Sequence, residues 1–360
     1  MRQSIEITPV DTLFFRGAEA MKAGENHHPS TLFPPMPQTV LGALRTAMLA
    51  QQGIPFMEFN NGSATGDKAV LSLLGKPKKA GFALAGPLFG VEDAQGRKHR
   101  LLPVPAHWYA DMVEFRQARQ QARSKQAPAA DLNVCLASPQ PEAARQLGLC
   151  SSLSNGWRWA TPRASGELQR LAGFWMTENA LGAPGRLKQA CHLTQLSDAP
   201  TLLELSTLYD VEERTGIARN AHLGTVRDGH LYTARHLRLR PGVNLVVLAD
   251  RSLPPALTEQ GILQLGGEQR TVSYLFGQAA SSSQLTESAA WLALGPIPSR
   301  TVQEHGAVGF ASGSLLRVGG WDFQTRFHKP LEGWHPAGTV LFFDQPQPVP
   351  HGFRGLPESR

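Results

Sequence analysis

Only one stretch of this chain keeps apolar residues at helical spacing for long enough to make a clear helix. In QTVLGALRTAMLAQQG (38–53), Val40, Leu41, Leu44, Ala47 and Met48 form one stripe. Pro37 suits the first turn, and Gly53 with Pro55 closes the end. Arg45 lies at the edge of the stripe, where its stem packs and its head reaches outward. Elsewhere the apolar runs are short and are cut by glycine and proline, of which the 360 residues hold 35 and 27. Such punctuation predicts many turns, short strands and long connections.

QSIEIT (3–8) alternates apolar and polar residues as a strand does. Residues 82–108 read as two strands around a turn at Ala94–Gly96. Residues 202–220 read as a strand followed by a loop, and residues 229–250 as a hairpin turning at Pro241-Gly242. The segment 11–37 is a long irregular loop, in which Phe14, Phe15 and TLFPP argue for order. Two patterned regions, 1–110 and 200–345, flank a basic middle. In that middle Arg116, Arg119 and Arg123 fall near one helical face, the pattern of a solvated face. Strands outnumber helices, so the fold class is α+β, with two sheet domains divided as 1–200 and 201–360.

The net charge of +6 favours an anionic partner. Three cysteines without a CxxC pair indicate neither a disulfide framework nor a zinc knuckle. The N-terminal residues do not read as a signal peptide, and no apolar run reaches the ~18 residues of a membrane span. The expectation is a cytoplasmic protein with no membrane partner, no metal and no cofactor. GxSxG, HExxH, the Walker loop and GxGxxG are all missing, so no familiar catalytic motif argues for an enzyme.

Several residues are candidates for an anion site. Gly266-Gly267 interrupts an apolar run, and Arg270 follows three residues later. Successive glycines can aim bare amides at a phosphate, or can simply form a hairpin turn. The first long loop offers Arg16, His27 and His28; adjacent histidines without a third ligand make a poor metal site. EERTG and GHLYTARH bring Arg214, His230, Tyr232, Arg235 and His236, and a strand with basic and aromatic groups can serve single-stranded RNA or be an ordinary wet face. The carboxylates are scattered: Asp11, Glu19 and Glu25 share a loop, and Glu212-Glu213 and Glu268 lie far away in sequence.

Taken in order, ITPVDTLFFRGAEAMKAGE, LFPPMPQTVLGALRTAML, GPLFGVEDAQGRKHRLLPVPA, YDVEERTGIARN, DGHLYTARHLRL, LGGEQR and GGWDFQTRFHKPLEGWHPAGTVLFF resemble the third-subunit family of Cmr (type III-B) CRISPR effector complexes, in the RAMP superfamily. The resemblance covers roughly residues 5–110 and 205–345. It implies two ferredoxin-like, RRM-related domains with long insertions. It implies a non-catalytic subunit that grips the 5′ repeat-derived handle of the CRISPR RNA. It also implies docking to the large polymerase-cyclase-like subunit and to the backbone RAMP subunits. On this reading Gly266, Gly267 and Arg270 cradle handle phosphates, and Arg16, His27, His28 and Arg45 approach from the first domain. Arg214 lies alongside, Tyr232 and Arg235 stack on bases, and Lys329 meets RNA or a partner. The family's loop reads GGEGR, whereas Gln269 stands here for its last glycine, which makes the loop stiffer. FFRGAEAM also departs from the family's FFRDGRPF. Two further readings stand beside this one. One is a RAMP-type endoribonuclease using His27, His28 or His230 on precursor RNA; the other is a scaffold whose basic patches face acidic proteins.

Overall fold

The structure is a computed structural model. It describes residues 3–17, 31–140, 158–162, 164–219, 225–254, 256–277, 285–322 and 327–357, with the side chains of 218–219, 226–232 and 321–322 outside the description. His27 and His28 lie outside the described residues, and the side chains of His230 and Tyr232 are likewise not described.

Strand β1 (Gln3–Pro9) carries Ile5 and Ile7 on one face, both fully buried, while Glu6 points to the other face. Helix α1 (Pro37–Gln51) begins with proline in its first turn and buries Val40, Leu44, Ala47, Met48 and Leu49, largely the stripe read from the sequence. Gly53 follows it with φ of 64°. Strands β2 (Leu84–Glu92) and β3 (Lys98–Pro103) form the expected hairpin, with Phe89 opposite Leu101. The helix and these strands share one continuous apolar core.

A ten-stranded sheet runs through the chain. Its order is Gln260–Gln264, Thr271–Gly277, β1, Val243–Ala249, β2, β3, Phe174–Thr177, Thr201–Glu204, Arg186–Ala190 and Ala130–Asn133. All neighbours are antiparallel except Arg186–Ala190 beside Thr201–Glu204. Strands from both sides of residue 200 therefore share it. The described part is mixed α and β and rich in strands, in keeping with the α+β expectation.

Two local readings need correction. The turn at Pro241-Gly242 forms, but its flanking strands do not pair with each other. Val226–Leu239 pairs with Tyr209–Arg219, whereas Val243–Ala249 pairs with β1 and β2. Burial explains the split: Val243–Ala249 has buried positions on both faces and suits the middle of a sheet. The second correction is that residues 209–219, expected as a loop, are one side of that long two-stranded ribbon. Its mixed charged and apolar residues hid the alternation.

Around the large sheet lie smaller ones. Gly309–Ala311, Val340–Pro348, Glu287–Ala293 and Phe353–Gly355 form a four-stranded sheet. It packs a second core in which the Trp291 and Phe343 ring centroids are 4.3 Å apart. Another four-stranded sheet takes Trp159–Pro162, Cys135–Gln140, Trp108–Asp111 and Leu168–Arg170. In the basic middle, helix Met112–Gln121 is capped by Asp111, and Arg119 is paired with Glu204 at 2.7 Å. Among the described residues no helix is long and apolar enough to cross a membrane.

Candidate nucleic-acid interface

Residues 11–16 tie three elements together. Leu13 exchanges backbone hydrogen bonds of 2.7 and 2.8 Å with Leu237 of the ribbon. The Phe14 carbonyl accepts from the Gly267 amide at 2.8 Å, and the Phe15 carbonyl accepts from Leu32 at 2.9 Å. Phe14 and Phe15 are both buried, as their apolar character demands.

The glycine pair closes the hairpin between Gln260–Gln264 and Thr271–Gly277. Gly266 has φ of 83°, and a Cβ there would lie 2.5 Å from the Phe14 carbonyl oxygen. A Cβ on Gly267 would lie 2.8 Å from the Phe14 ring. The pair is thus required by close approach to the 11–16 segment. The Gly267 amide is occupied by Phe14 and is not the bare donor that the sequence suggested. Glu268 and Gln269 follow with φ of 56° and 51°, in the left-handed region that favours glycine. The position where the family resemblance expects glycine is therefore one where glycine relieves strain.

On one side of this turn opens a cleft of about 1000 Å³. Its walls are Phe15 and Arg16, the outer face of α1 at Gln38, Thr39 and Thr46, the edge strand at Ile262 and Gln264, the glycine turn, and Arg317, Lys329 and Trp334. Among the described residues, three cations line it and no carboxylate does. Low-dielectric walls around charges of one sign focus the field on an anion. Gln260–Gln264 ends the sheet order, so one of its backbone edges faces away from the ladder, and Ile262 beside it is 69% exposed. Arg317 and Lys329 are exposed; the Lys329 amide donates to Gly320 at 2.9 Å. Arg16 forms an isolated bridge with Thr31.

On the other side of the turn is an ion-pair network. Asp11 accepts from Arg238 at 2.8 Å, from Arg270 at 3.3 Å and from Arg214 at 3.4 Å. Glu212 pairs with Arg214 at 3.2 Å and also with Arg238. Glu268 pairs with Arg270 at 2.6 Å and reaches His236 at 3.5 Å. His236 is buried, stacks on Phe14 at 5.2 Å between centroids, and has Nδ1 3.2 Å from the Thr12 hydroxyl. The Arg238 guanidinium holds the carboxyls of Asp11 and Glu212 below their usual range. Burial lowers the pKa of His236.

Of the residues singled out in the sequence, Arg16, Gly266, Gly267 and Lys329 meet in the cleft. Arg214 and Arg270 are engaged in the network, outside the cleft lining. Arg235 is exposed and pairs across the ribbon with Glu213 at 3.0 Å. Arg45 does not join the group. It donates to the carbonyls of Leu74 at 3.0 Å, Lys76 at 2.5 Å and Pro77 at 3.2 Å, and lies 5.2 Å from the centre of the Phe59 ring. That guanidinium holds the end of helix Lys68–Leu74 and the turn after it. Sequence reasoning missed Arg317 and Trp334 in the cleft, and Arg238 in the network. The basic character of Arg317 between glycine-rich stretches was the one available signal. Among the described residues no group of three His, Cys, Asp or Glu side chains is placed to hold a metal ion.

A family model described as CRISPR-associated protein (Cas_Cmr3) matches residues 5–290 and 275–358 of this chain. No curated protein matches it. Among solved structures, a chain from a cryo-EM structure of the type III-B Cmr-beta bound to cognate target RNA is similar at 17% identity and a TM-score of 0.48, over 94% of this chain and 86% of that one. A chain from the same assembly bound to cognate target RNA and AMPPnP matches at 16% identity and a TM-score of 0.48, over 94% of this chain and 86% of that one. A chain from a crystal structure of the Csm3-Csm4 subcomplex of the type III-A interference complex matches at 11% identity and a TM-score of 0.44, over 99% of this chain and 100% of that one.

Proposed function

The chain belongs to the CRISPR-associated Cas_Cmr3 family, and from that premise we propose that it is a non-catalytic RNA-binding subunit of a type III CRISPR effector, holding the 5′ repeat-derived handle of the CRISPR RNA in the cleft beside the glycine turn. The observation that carries this reading is the cleft lining: Arg16, Arg317 and Lys329, with no carboxylate among the described residues that line it. Guanidinium and ammonium groups suit phosphate oxygens and position a strand without reading its sequence. Gly266 and Gly267 serve by letting the turn sit close to Phe14 and Phe15, which shapes the wall beside Arg16. Docking to the large polymerase-cyclase-like subunit and to the backbone RAMP subunits rests on the family resemblance, and action in the cytoplasm on the sequence reading alone.

The ferredoxin-like reading of the fold is supported in one place. Strands Thr271–Gly277, β1, Val243–Ala249 and β2 lie side by side, each antiparallel to the next, and α1 links β1 to β2. Numbered along the chain these four strands run fourth, first, third, second across the sheet, the order of a ferredoxin-like unit with residues 93–242 inserted between its second and third strands. The second such unit and the division near residue 200 rest on sequence pattern and resemblance alone.

The test is handle-RNA binding by the full chain across a salt series. Arg317→Ala and Lys329→Ala should each weaken binding and lower the slope of log K against log salt by about 0.7, the single-strand value for one phosphate contact. Unchanged affinity and slope in both variants, with folding intact, would remove the cleft from the RNA site.

A further inference from the structure

A second cavity, of about 370 Å³, lies where the sheet containing Trp108–Asp111 meets strands Gly309–Ala311 and Glu332–His335. Rings from four different elements line it: Tyr109, Trp159, Phe310 and His335. Arg158 and Arg170 also line it, and no carboxylate is among the described residues that do. Its volume falls within the range of small-molecule pockets. Trp159 is 40% exposed, an unusual cost for the largest apolar side chain unless something covers it.

The polar groups are held in place. Phe310 meets His335 edge-on, with centroids 5.1 Å apart. His335 Nδ1 lies 2.9 Å from the Ser312 hydroxyl, which in turn lies 3.1 Å from the Thr339 hydroxyl. Burial lowers the pKa of His335, which favours the neutral ring, and with Nδ1 engaged by Ser312 the Nε2 atom is left for a ligand. Arg170 donates to the Ser312 carbonyl at 3.3 Å, and Arg158 pairs with Asp344 at 2.6 Å. A planar ligand with polar edges and an anionic neighbour matches such a site: π-faces to stack on, fixed hydrogen-bonding groups, and guanidiniums beside them.

We propose that this cavity is a nucleobase site, which takes one base against Trp159 and Tyr109 with the adjoining phosphate toward Arg158 and Arg170. The base belongs either to a free nucleotide or to an RNA strand. The site is separate from the cationic cleft, and the proposal does not depend on the handle reading.

The experiment measures binding of radiolabelled AMP, and of a labelled single-stranded hexanucleotide without handle sequence, to the purified full chain. Trp159→Ala should weaken the bound probe about ten-fold or more, and Trp159→Phe should retain most of the affinity, because base stacking needs a π-face rather than an indole. The loss of AMP binding on Trp159→Ala should be the same in the Arg317→Ala background, which keeps this result distinct from failure of the cleft. AMP bound with that dependence identifies a free nucleotide. A hexanucleotide bound with that dependence, and photo-cross-linked to the peptide carrying Trp159, identifies a strand. The proposal is overturned if Trp159→Ala, with an unchanged circular dichroism spectrum, binds both probes as the parent chain does, or if the parent binds neither.

Discussion

The Gly267 amide donates to the Phe14 carbonyl at 2.8 Å, a backbone bond that joins the glycine turn to the segment that also carries Asp11 and Arg16. The two glycines are not equivalent in this contact. A side chain on Gly266 meets backbone oxygen at 2.5 Å in a left-handed conformation, whereas one on Gly267 meets the edge of a ring at 2.8 Å. Gly266→Ala should therefore destabilise the chain by about 2–4 kcal/mol, combining left-handed strain with an overlap that backbone must relieve. Gly267→Ala should cost less, because the Phe14 ring can turn. Urea unfolding of the two variants gives the order directly, and a reversed order contradicts the contact.

Gln269 adopts φ of 51° without the freedom of glycine. Gln269→Gly should stabilise the chain by about 0.5 kcal/mol, since relief of left-handed strain slightly exceeds the added entropy of the unfolded chain. Gln269→Ala, which keeps a Cβ, should leave Tm unchanged. Equal Tm values for all three chains would show that the turn carries no strain there.

Arg45 and Arg317 separate stability from binding. Arg45→Ala leaves carbonyls of the Leu74–Pro77 turn without their donor, so it should lower stability by about 2–3 kcal/mol. The salt slope of RNA binding should not change. Arg317 is exposed in the cleft, and Arg317→Ala should do the reverse. Thermal melts and a salt titration on both variants check the crossing.

His107 sets the acid limb of stability. Its ring is buried against Trp108 and Phe342, and burial pushes its pKa down to about 3. The folded chain therefore holds a neutral ring where the unfolded chain, with a pKa near 6.5, takes a proton. The contribution is complete above pH ~6.5 and falls by about 1.4 kcal/mol per pH unit toward pH 3. Asp93 acts lower. Burial raises its pKa, but hydrogen bonds from His99, from Arg97 and from the Gln95 amide outweigh that and lower it overall. A depressed carboxylate loses its contribution only as pH falls below the ordinary carboxylate range. His107→Phe should flatten the stability profile between pH 6.5 and 4 and leave the steeper loss below pH 4. An unaltered profile in that variant would assign the slope to other groups.

What could be read from the sequence was local. The stripe of α1 and the alternation of β1 repeat within a few residues, so periodicity placed both. The Pro241-Gly242 turn was readable for the same reason, but the partners of its strands were not, because turn chemistry is silent about which distant strand wins. The site divided in the same way. The glycine pair announced itself by composition, while its reason, the approach of Phe14, comes from a residue more than two hundred positions earlier. Arg270 reads as a free cation until the fold brings Asp11 to it across 259 positions. Arg317 has no periodic signature at all; only the fold brings it into the same cleft as Arg16.

β1 is synthesised well before either of its neighbours in the sheet: Gln3 faces Ala249, and Pro9 faces Val272. At about 5–20 residues per second of synthesis, its hydrogen-bonding edges wait tens of seconds for their partners. A nascent chain stalled before residue 240 therefore carries Ile5 and Ile7 on an unclaimed strand, open to mispairing until translation delivers the other side.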